Sequence, residues 1–360
     1  MKQKSPTKWL VLAVAIVLVV IVILQYQYFS TTGLFKMEDR VVSHQFDAFR
    51  IVSAGPGLDK IPSIDRPDFE NVASANEYLD DAQLGVVVQA GGQYRFYPFQ
   101  ILVWHEVVND EFGGNALLIS YSPLTYTANV YNRTINTEAL LFGVSGELYE
   151  NNTLLFDRSS NSRWLQVTGE AVVGEKMGMK LEPYPSLVMS WNGFKQTYPT
   201  NRVLSRETGF ERDYTHDPHG SYYTNNAVLF PLSVKDNRYH PKELVYGFTA
   251  GESQMAFFEE VIEKQEVINA QVGEESIVVV MDPAFGTVRG FERVIDGQKL
   301  TFTLEKNVLV DKETSSRWNL NGEAFSGSSK GKQLNRVQLH LSFWFSWFAN
   351  YPLTSVSTGT

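Results

Sequence analysis

The chain has 360 residues and is 43% hydrophobic, enough to bury a sizeable core in one large domain or two small ones. Its 31 basic and 40 acidic residues leave a net charge of −9, which argues against nucleic acid and against docking on anionic lipid. There is no cysteine, so disulfides and thiolate chemistry are excluded and stability has to come from burial.

Lys2, Lys4 and Lys8 precede an uncharged apolar run, WLVLAVAIVLVVIVIL, from Trp9 to Leu24. That run is slightly short of the roughly 20 residues that span a bilayer. Trp9, Tyr26 and Tyr28 supply interfacial aromatic ends. No small-x-small cleavage site follows, so residues 9–29 are expected to be an uncleaved transmembrane anchor, with residues 1–8 a cytoplasmic tail. The lysines orient the remainder outward, on the far side of a bacterial cytoplasmic membrane. That exported part carries 28 basic and 40 acidic residues, a charge of −12.

Residues 30–84 read as a lead-in. GPGLDKIPSIDRPDF is rich in Gly, Pro and Asp and should run extended over a surface, and VASANEYLDD suits a short helix capped near Ser74 or Asn76. From about Gly85 the chain begins to repeat itself. At an offset of 160, Ala90, Gly91, Glu106, Val107, Asn109, Gly113, Pro123, Thr127 and Arg133 recur as Ala250, Gly251, Glu266, Val267, Asn269, Gly273, Pro283, Thr287 and Arg293. At 154, Asp157, Ser162, Arg163 and Trp164 recur as Asp311, Ser316, Arg317 and Trp318. At 153 the series continues from Gly169, Glu170 and Ala171 through Trp191 to Pro199, answered by Gly322, Glu323, Ala324, Trp344 and Pro352. The matches keep their order and fall on Gly, Trp and Pro, which fix backbone shape.

The expected architecture is therefore α+β and β-rich: two tandem-duplicated lobes, 85–203 and 245–356, forming one compact exported domain after one transmembrane helix. Each period is domain-sized, well beyond a solenoid unit. GVVVQ, YRFYPF, ALLISY, ANVYN and ALLFGVSGELY are short β-branched or aromatic runs with turn residues between them. QILVWHEVVND reads as a helical turn or two passing into a strand. Asp157 and Asp311 should close Asx-type turns, with Trp164 and Trp318 entering the core and a glycine allowing the chain to turn back. The lobes are expected to share an apolar face that includes Trp164, Trp318, Trp191 and Trp344. Residues 204–244 have no counterpart and form a polar, tyrosine-rich insertion between the lobes.

Taken together, IPSIDRPDF, YPFQILVWHEVVND, YSPLTYTA, FGVSGELYENNTLLFDRSSNSRWLQVTGEAV, RDYTHDPHGSYY, DKETSSRWN and SFWFSWFANYPLT resemble the bacterial family known as domain of unknown function 3179. The resemblance covers most of the exported part and implies no particular reaction. The family typically shows Tyr-Cys-Pro-Leu-Cys-Gly where this chain has Tyr121, Ser122, Pro123, Leu124, Thr125 and Tyr126. Any soft-metal or redox role of those cysteines is therefore in doubt here.

His105, Glu106, Asn109 and Asp110 form the densest polar cluster. On a helix His105 and Asn109 share a face, and His105 would act as a base or a metal ligand. Alternatively Glu106 and Asn109 cap turns and His105 is a hydrogen-bonded core residue. Ser122 and Thr125 are candidate catalytic hydroxyls, but no nucleophile elbow surrounds Ser122, and both suit the filling of a vacated thiol pocket. His216 and His219, with Asp217, offer a divalent-metal loop that His105 would complete, although Asp-Pro-His-Gly is also ordinary turn chemistry. His340, in an apolar run, reads as structural. Asp157 with Arg163, and Asp311 with Arg317, are expected to form equivalent charge pairs. The functional expectation is a membrane-anchored extracytoplasmic binding or assembly module without catalysis. The alternative is a metal-dependent enzyme or metal-handling protein using His105 and the His216/His219 loop.

Overall fold

The apolar runs become antiparallel strands in the computed structural model, which describes residues 46–358 apart from Pro56. The expected tail and the anchor at 9–29 lie outside the described residues. Among the described residues no helix is long and apolar enough to cross a membrane.

Strands Leu84–Ala90 and Gln93–Pro98 form a hairpin, and helix Phe99–His105 follows at once. Val107–Phe112, Asn115–Ser122 and Thr127–Asn132 make one meander. Phe142–Tyr149, Asn152–Asp157, Arg163–Leu165 and Ala171–Val173 make a second. Ser186–Ser190 then pairs back onto Leu84–Ala90, and helix Trp191–Thr197 leads into Arg202–Leu204, which lies parallel to Gln93–Pro98. The same succession runs from Leu244–Ala250 through helices Glu259–Gln265 and Trp344–Asn350 to Ser355–Val356, with equivalent pairings at each step. The expected passage from helix to strand in QILVWHEVVND is present, since Phe99–His105 gives way to Val107–Phe112.

The lead-in is more than a surface strap. Val52–Ser53 pairs with Leu148 and Glu147, Phe69–Asn71 pairs with Arg202–Leu204, and Ile64 bridges Val108. Helix Val72–Ala75 is capped by Asn71, whose side chain accepts from the Ser74 N–H at 2.9 Å.

The two halves meet through equivalent strands. Ser186–Ser190 lies against Thr287–Glu292, and His340–Phe343 lies against Thr127–Asn132. The bonds across this contact answer each other: Ser190 N–H donates to the Phe285 carbonyl at 3.2 Å, and Phe343 N–H to the Thr125 carbonyl at 2.8 Å.

Period-two alternation decides what each strand residue meets. Val86 and Val88 face a core shared by both halves, while Val87 faces Phe96, Met189 and Trp191 on the other side. Leu117, Ile119 and Tyr121 join the shared core with Ile277, Val279 and Met281, whereas Leu118 and Val278 turn away. These unbroken apolar runs are thus strands covered on both faces. The four tryptophans do not line the shared face as expected. Trp164, Trp318, Trp191 and Trp344 each occupy a separate core apart from the shared one, and only that of Trp191 takes in a residue of the other half, Phe285, among the described residues.

Asp157 and Asp311 close the expected Asx turns, accepting from Ser160 N–H at 2.7 Å and Thr314 N–H at 2.6 Å. Their other oxygens accept the indole N–H of Trp164 at 3.0 Å and of Trp318 at 2.9 Å. Burial pushes the Asp157 carboxyl up, but the bonds from Trp164, Ser160 and Ser159 outweigh it and hold the group below its ordinary value. The expected pairs with Arg163 and Arg317 do not form. Each arginine follows the turn on its strand and reaches across the intervening strand instead, to Glu147 and Glu305. Gly169 and Gly322 turn back at φ 71° and 85°, and a Cβ there would strike the rings of Tyr131 and Phe291.

Trp318→Ala should cost about 3–5 kcal/mol in urea unfolding, since it leaves a cavity and removes one of the bonds to the buried Asp311 carboxylate. Trp318→Phe should cost less, roughly 1–3 kcal/mol, because an aromatic ring still fills most of the site while the Asp311 bond is lost. An unchanged midpoint for the alanine variant would remove Trp318 from the core.

Candidate functional site

Helix Phe99–His105 buries Ile101, Leu102 and His105 and stops where Glu106 turns left-handed, at φ 58°. The Glu106 N–H closes the helix on the Leu102 carbonyl at 2.7 Å, and Glu266 repeats this at φ 61° with Ile262. A non-glycine residue in this region costs on the order of 1–2 kcal/mol. The turn also breaks the expected shared face, because Asn109 lies on the following strand. There its amide bonds both ways with Phe142, at 2.8 and 2.9 Å, as Asn269 does with Phe302. Asp110 is held by Arg95 and by the Tyr97 hydroxyl at 2.6 Å, apart from His105.

His105 is fully buried and uses both ring nitrogens. Nδ1 is 2.7 Å from the Pro62 carbonyl, which only accepts, so Nδ1 carries the proton. Nε2 then accepts from the Tyr214 hydroxyl at 2.6 Å. Burial lowers its pKa to about 4, so the ring is neutral at physiological pH. The histidine thereby fastens the lead-in and the insertion to the end of the helix.

Ser122 and Thr125 flank the turn after strand Asn115–Ser122, and both are 0% exposed. Ser122 Oγ accepts from Thr153 N–H at 3.2 Å and lies 3.2 Å from Thr153 Oγ1. Thr125 Oγ1 is 2.8 Å from Thr127 Oγ1, and the Asn152 amide nitrogen lies 2.9 Å from Thr125 Oγ1 and 2.8 Å from Thr127 Oγ1. Gln166 completes the chamber: its Oε1 accepts from Thr127 at 2.8 Å, and its Nε2 donates to Ser120 Oγ at 3.1 Å. Glu106 closes the chamber from the helix side, accepting from Thr153 Oγ1 at 2.8 Å. Its pKa is raised to about 7 by burial, with the Thr153 bond opposing. Asn152, Thr153 and Gln166 were not singled out in the sequence. The available signal was contrast between the halves, since Gln166 stands where the second half has Leu320.

The second half fills the equivalent space differently. Asp282, the counterpart of Ser122, pairs with Arg289, the counterpart of Asn129, at 2.8 Å with both side chains buried.

On the insertion, the Asp217 carboxylate accepts from His219 N–H at 2.8 Å and lies 3.4 Å from the Tyr223 hydroxyl, so HDPH works as a turn. His216 contributes its carbonyl to the Trp104 indole at 3.0 Å. His216 and Asp217 border a cleft of about 320 Å³ walled by Phe99, Gln100, Tyr121 and Tyr223. The expected gathering of His105, His216, His219 and Asp217 does not occur. Among the described residues no group of three or more His, Asp or Glu side chains is placed to hold a metal ion. His340 is structural as expected, with Nδ1 2.9 Å from Asn129 Oδ1 across the contact between the halves.

Glu106→Gln tests the chamber through its pH dependence. Folded Glu106 keeps its proton to about pH 7 and a free carboxyl only to about 4.5. The folded state thus binds the extra proton in that window, and stability falls as pH rises through it. The glutamine variant can still accept the Thr153 bond. The stability of wild type relative to this variant should drop between those pH values by on the order of 3 kcal/mol, at about 1.4 kcal/mol per unit. Parallel profiles in urea unfolding would place the Glu106 carboxyl in water.

Neither a curated protein nor a solved structure matches the chain. The family described as "Protein of unknown function (DUF3179)" matches residues 58–354, which take in both halves, the chamber and the insertion. The chain, with hydroxyls at both positions where that family typically has cysteines, belongs to it.

Proposed function

We propose that this is a membrane-anchored extracytoplasmic binding module without catalysis. In this reading residues 9–29 span the membrane, residues 1–8 stay inside, and two tandem copies of one folding unit, 85–203 and 245–356, stand outside. The recurrence of one element order and of answering bonds across the contact supports the copies. Lys2, Lys4 and Lys8 support the orientation.

The observation that carries the absence of catalysis is the satisfaction of the polar chamber. His105, Ser122 and Thr125 are shut from solvent and bonded to partners within the chain, with no approach for a reacting atom. A cleft of about 560 Å³ between the halves is instead walled by apolar, tyrosine and arginine side chains, the setting of a ligand site. The metal-dependent alternative has no donor set among the described residues to support it.

In a strain lacking the protein, Ser122→Ala and Glu106→Gln chains should restore whatever the full chain restores. Loss of rescue by either, at normal amounts of folded protein, would overturn the non-catalytic reading. Protease added to spheroplasts should digest the part beyond residue 29, and the chain should sediment with membranes. A protected or freely soluble chain would overturn the topology.

A further inference from the structure

A cleft of about 560 Å³ lies where the halves meet, outside the polar chamber and the insertion. Its walls come from both halves: Val86, Val88's neighbour Val87 and Leu187 on one side, Val337 and Leu339 on the other. This volume falls in the range that holds a small organic ligand.

Two arginines border this apolar space. Arg289 is 5% exposed; its Nη1 is committed to Asp282, while its Nε is buried without a partner. Arg336, on the rim, is paired with no carboxylate among the described residues. Burial and the Arg289 charge both disfavour its charged form. Tyr94, also on the wall, stacks on Tyr198 with ring centroids 3.8 Å apart. A chain with net charge −9 thus places one uncompensated guanidinium beside a second at the mouth of an apolar slot. Two guanidinia sharing the single Asp282 carboxylate leave one positive charge unbalanced, and a bound anion would offset it. A planar guanidinium fork suits a carboxylate, and the tyrosine face and aliphatic walls suit a flat apolar body.

We propose that the inter-half cleft binds an organic carboxylate with a flat apolar body, its carboxylate at Arg336 and Arg289 and its body between Val86 and Leu339. The inference deepens the binding-module reading by giving that module a ligand class.

The test uses the full chain in neutral detergent, with 2-naphthoate, 2-naphthamide and inorganic phosphate as probes followed by titration calorimetry. 2-Naphthoate should bind saturably, one per chain. The uncharged amide should bind at least about tenfold more weakly, as expected for loss of a charge-assisted bond. Arg336→Gln, which removes the rim cation without breaking an ion pair, should weaken the carboxylate about tenfold and leave the amide unchanged. Leu339→Trp, which fills the slot without changing charge, should abolish both. Absence of saturable 2-naphthoate binding, equal affinity for the amide, indifference to Arg336→Gln, or phosphate binding as tightly as 2-naphthoate would each overturn the proposal. Those outcomes bear on the cleft alone, because the non-catalytic reading stands or falls on rescue by the Ser122 and Glu106 variants.

Discussion

The structure turns on two backbone hydrogen bonds that answer each other across the middle of the molecule. Phe343 N–H reaches the carbonyl of Thr125, and Ser190 N–H reaches the carbonyl of Phe285. Each carbonyl sits in the tight turn after a meander strand, and each donor starts a helix in the other half. Neither half supplies its own partner, so the shared core of Val86, Ile119, Ile277 and their neighbours closes only when both are present. The turns need a left-handed residue next, which is Gly286 at φ 53° in one half and Tyr126 at φ 57° in the other. Glycine takes that conformation freely, whereas tyrosine is held there against a cost of order 1–2 kcal/mol. Tyr126 persists because its ring packs against Phe99, Tyr121, Tyr223 and Phe343, which ties the insertion and the second half to that turn.

Around this common frame the halves solve the same burial problem with opposite chemistry. Below its turn the first half holds neutral amides and hydroxyls: Ser122, Thr125, Asn152 and Gln166. The second half places an ion pair, Asp282 with Arg289, at the equivalent strand positions. A buried ion pair is costly to desolvate and stable only while both partners remain. Arg289 also borders the cleft between the halves, so a buried ion pair beside that cleft follows from divergence at two positions. Their counterparts in the first half, Ser122 and Asn129, carry no charge. Two frames of the same shape therefore enclose an asymmetric space.

Much of this was legible in the sequence, for local reasons. Recurring Gly, Trp and Pro residues carried the element order, because these types restrict backbone shape more than any particular side-chain contact does. Asp157 and Asp311 were readable as turn closers because the accepting oxygen and the donating N–H are three residues apart. What was illegible depended on distant strands. VVV or LLI runs announce strands covered on both sides but not which core each side faces, so the four tryptophans were assigned to the wrong one. The His105–Asn109 face failed because a helix was assumed to continue through Glu106, and nothing in a glutamate signals a left-handed stop. Arg163 and Arg317 escaped their expected aspartates because a bulge in each strand pairing at that residue re-aims the side chain.

His105 shows why uniqueness to one half is a weak guide to chemistry. It recurs in the second half as Gln265, and a histidine kept in only one of two equivalent places invites a catalytic reading. Its partners explain the difference without catalysis. Pro62 belongs to the lead-in and Tyr214 to the insertion, and both segments pack at the end of the first helix. Holding a carbonyl on one side and a hydroxyl on the other requires a rigid group with a donor and an acceptor at opposite ends. Neutral imidazole is the side chain that offers this. Burial keeps the ring neutral, which preserves the acceptor at Nε2; a protonated ring would have to turn a second donor toward the Tyr214 hydroxyl and force it to reorient. The residue is thus placed by the segments that cover the first half, and the Tyr214 it secures carries the stretch with His216 and Asp217 that borders the smaller cleft.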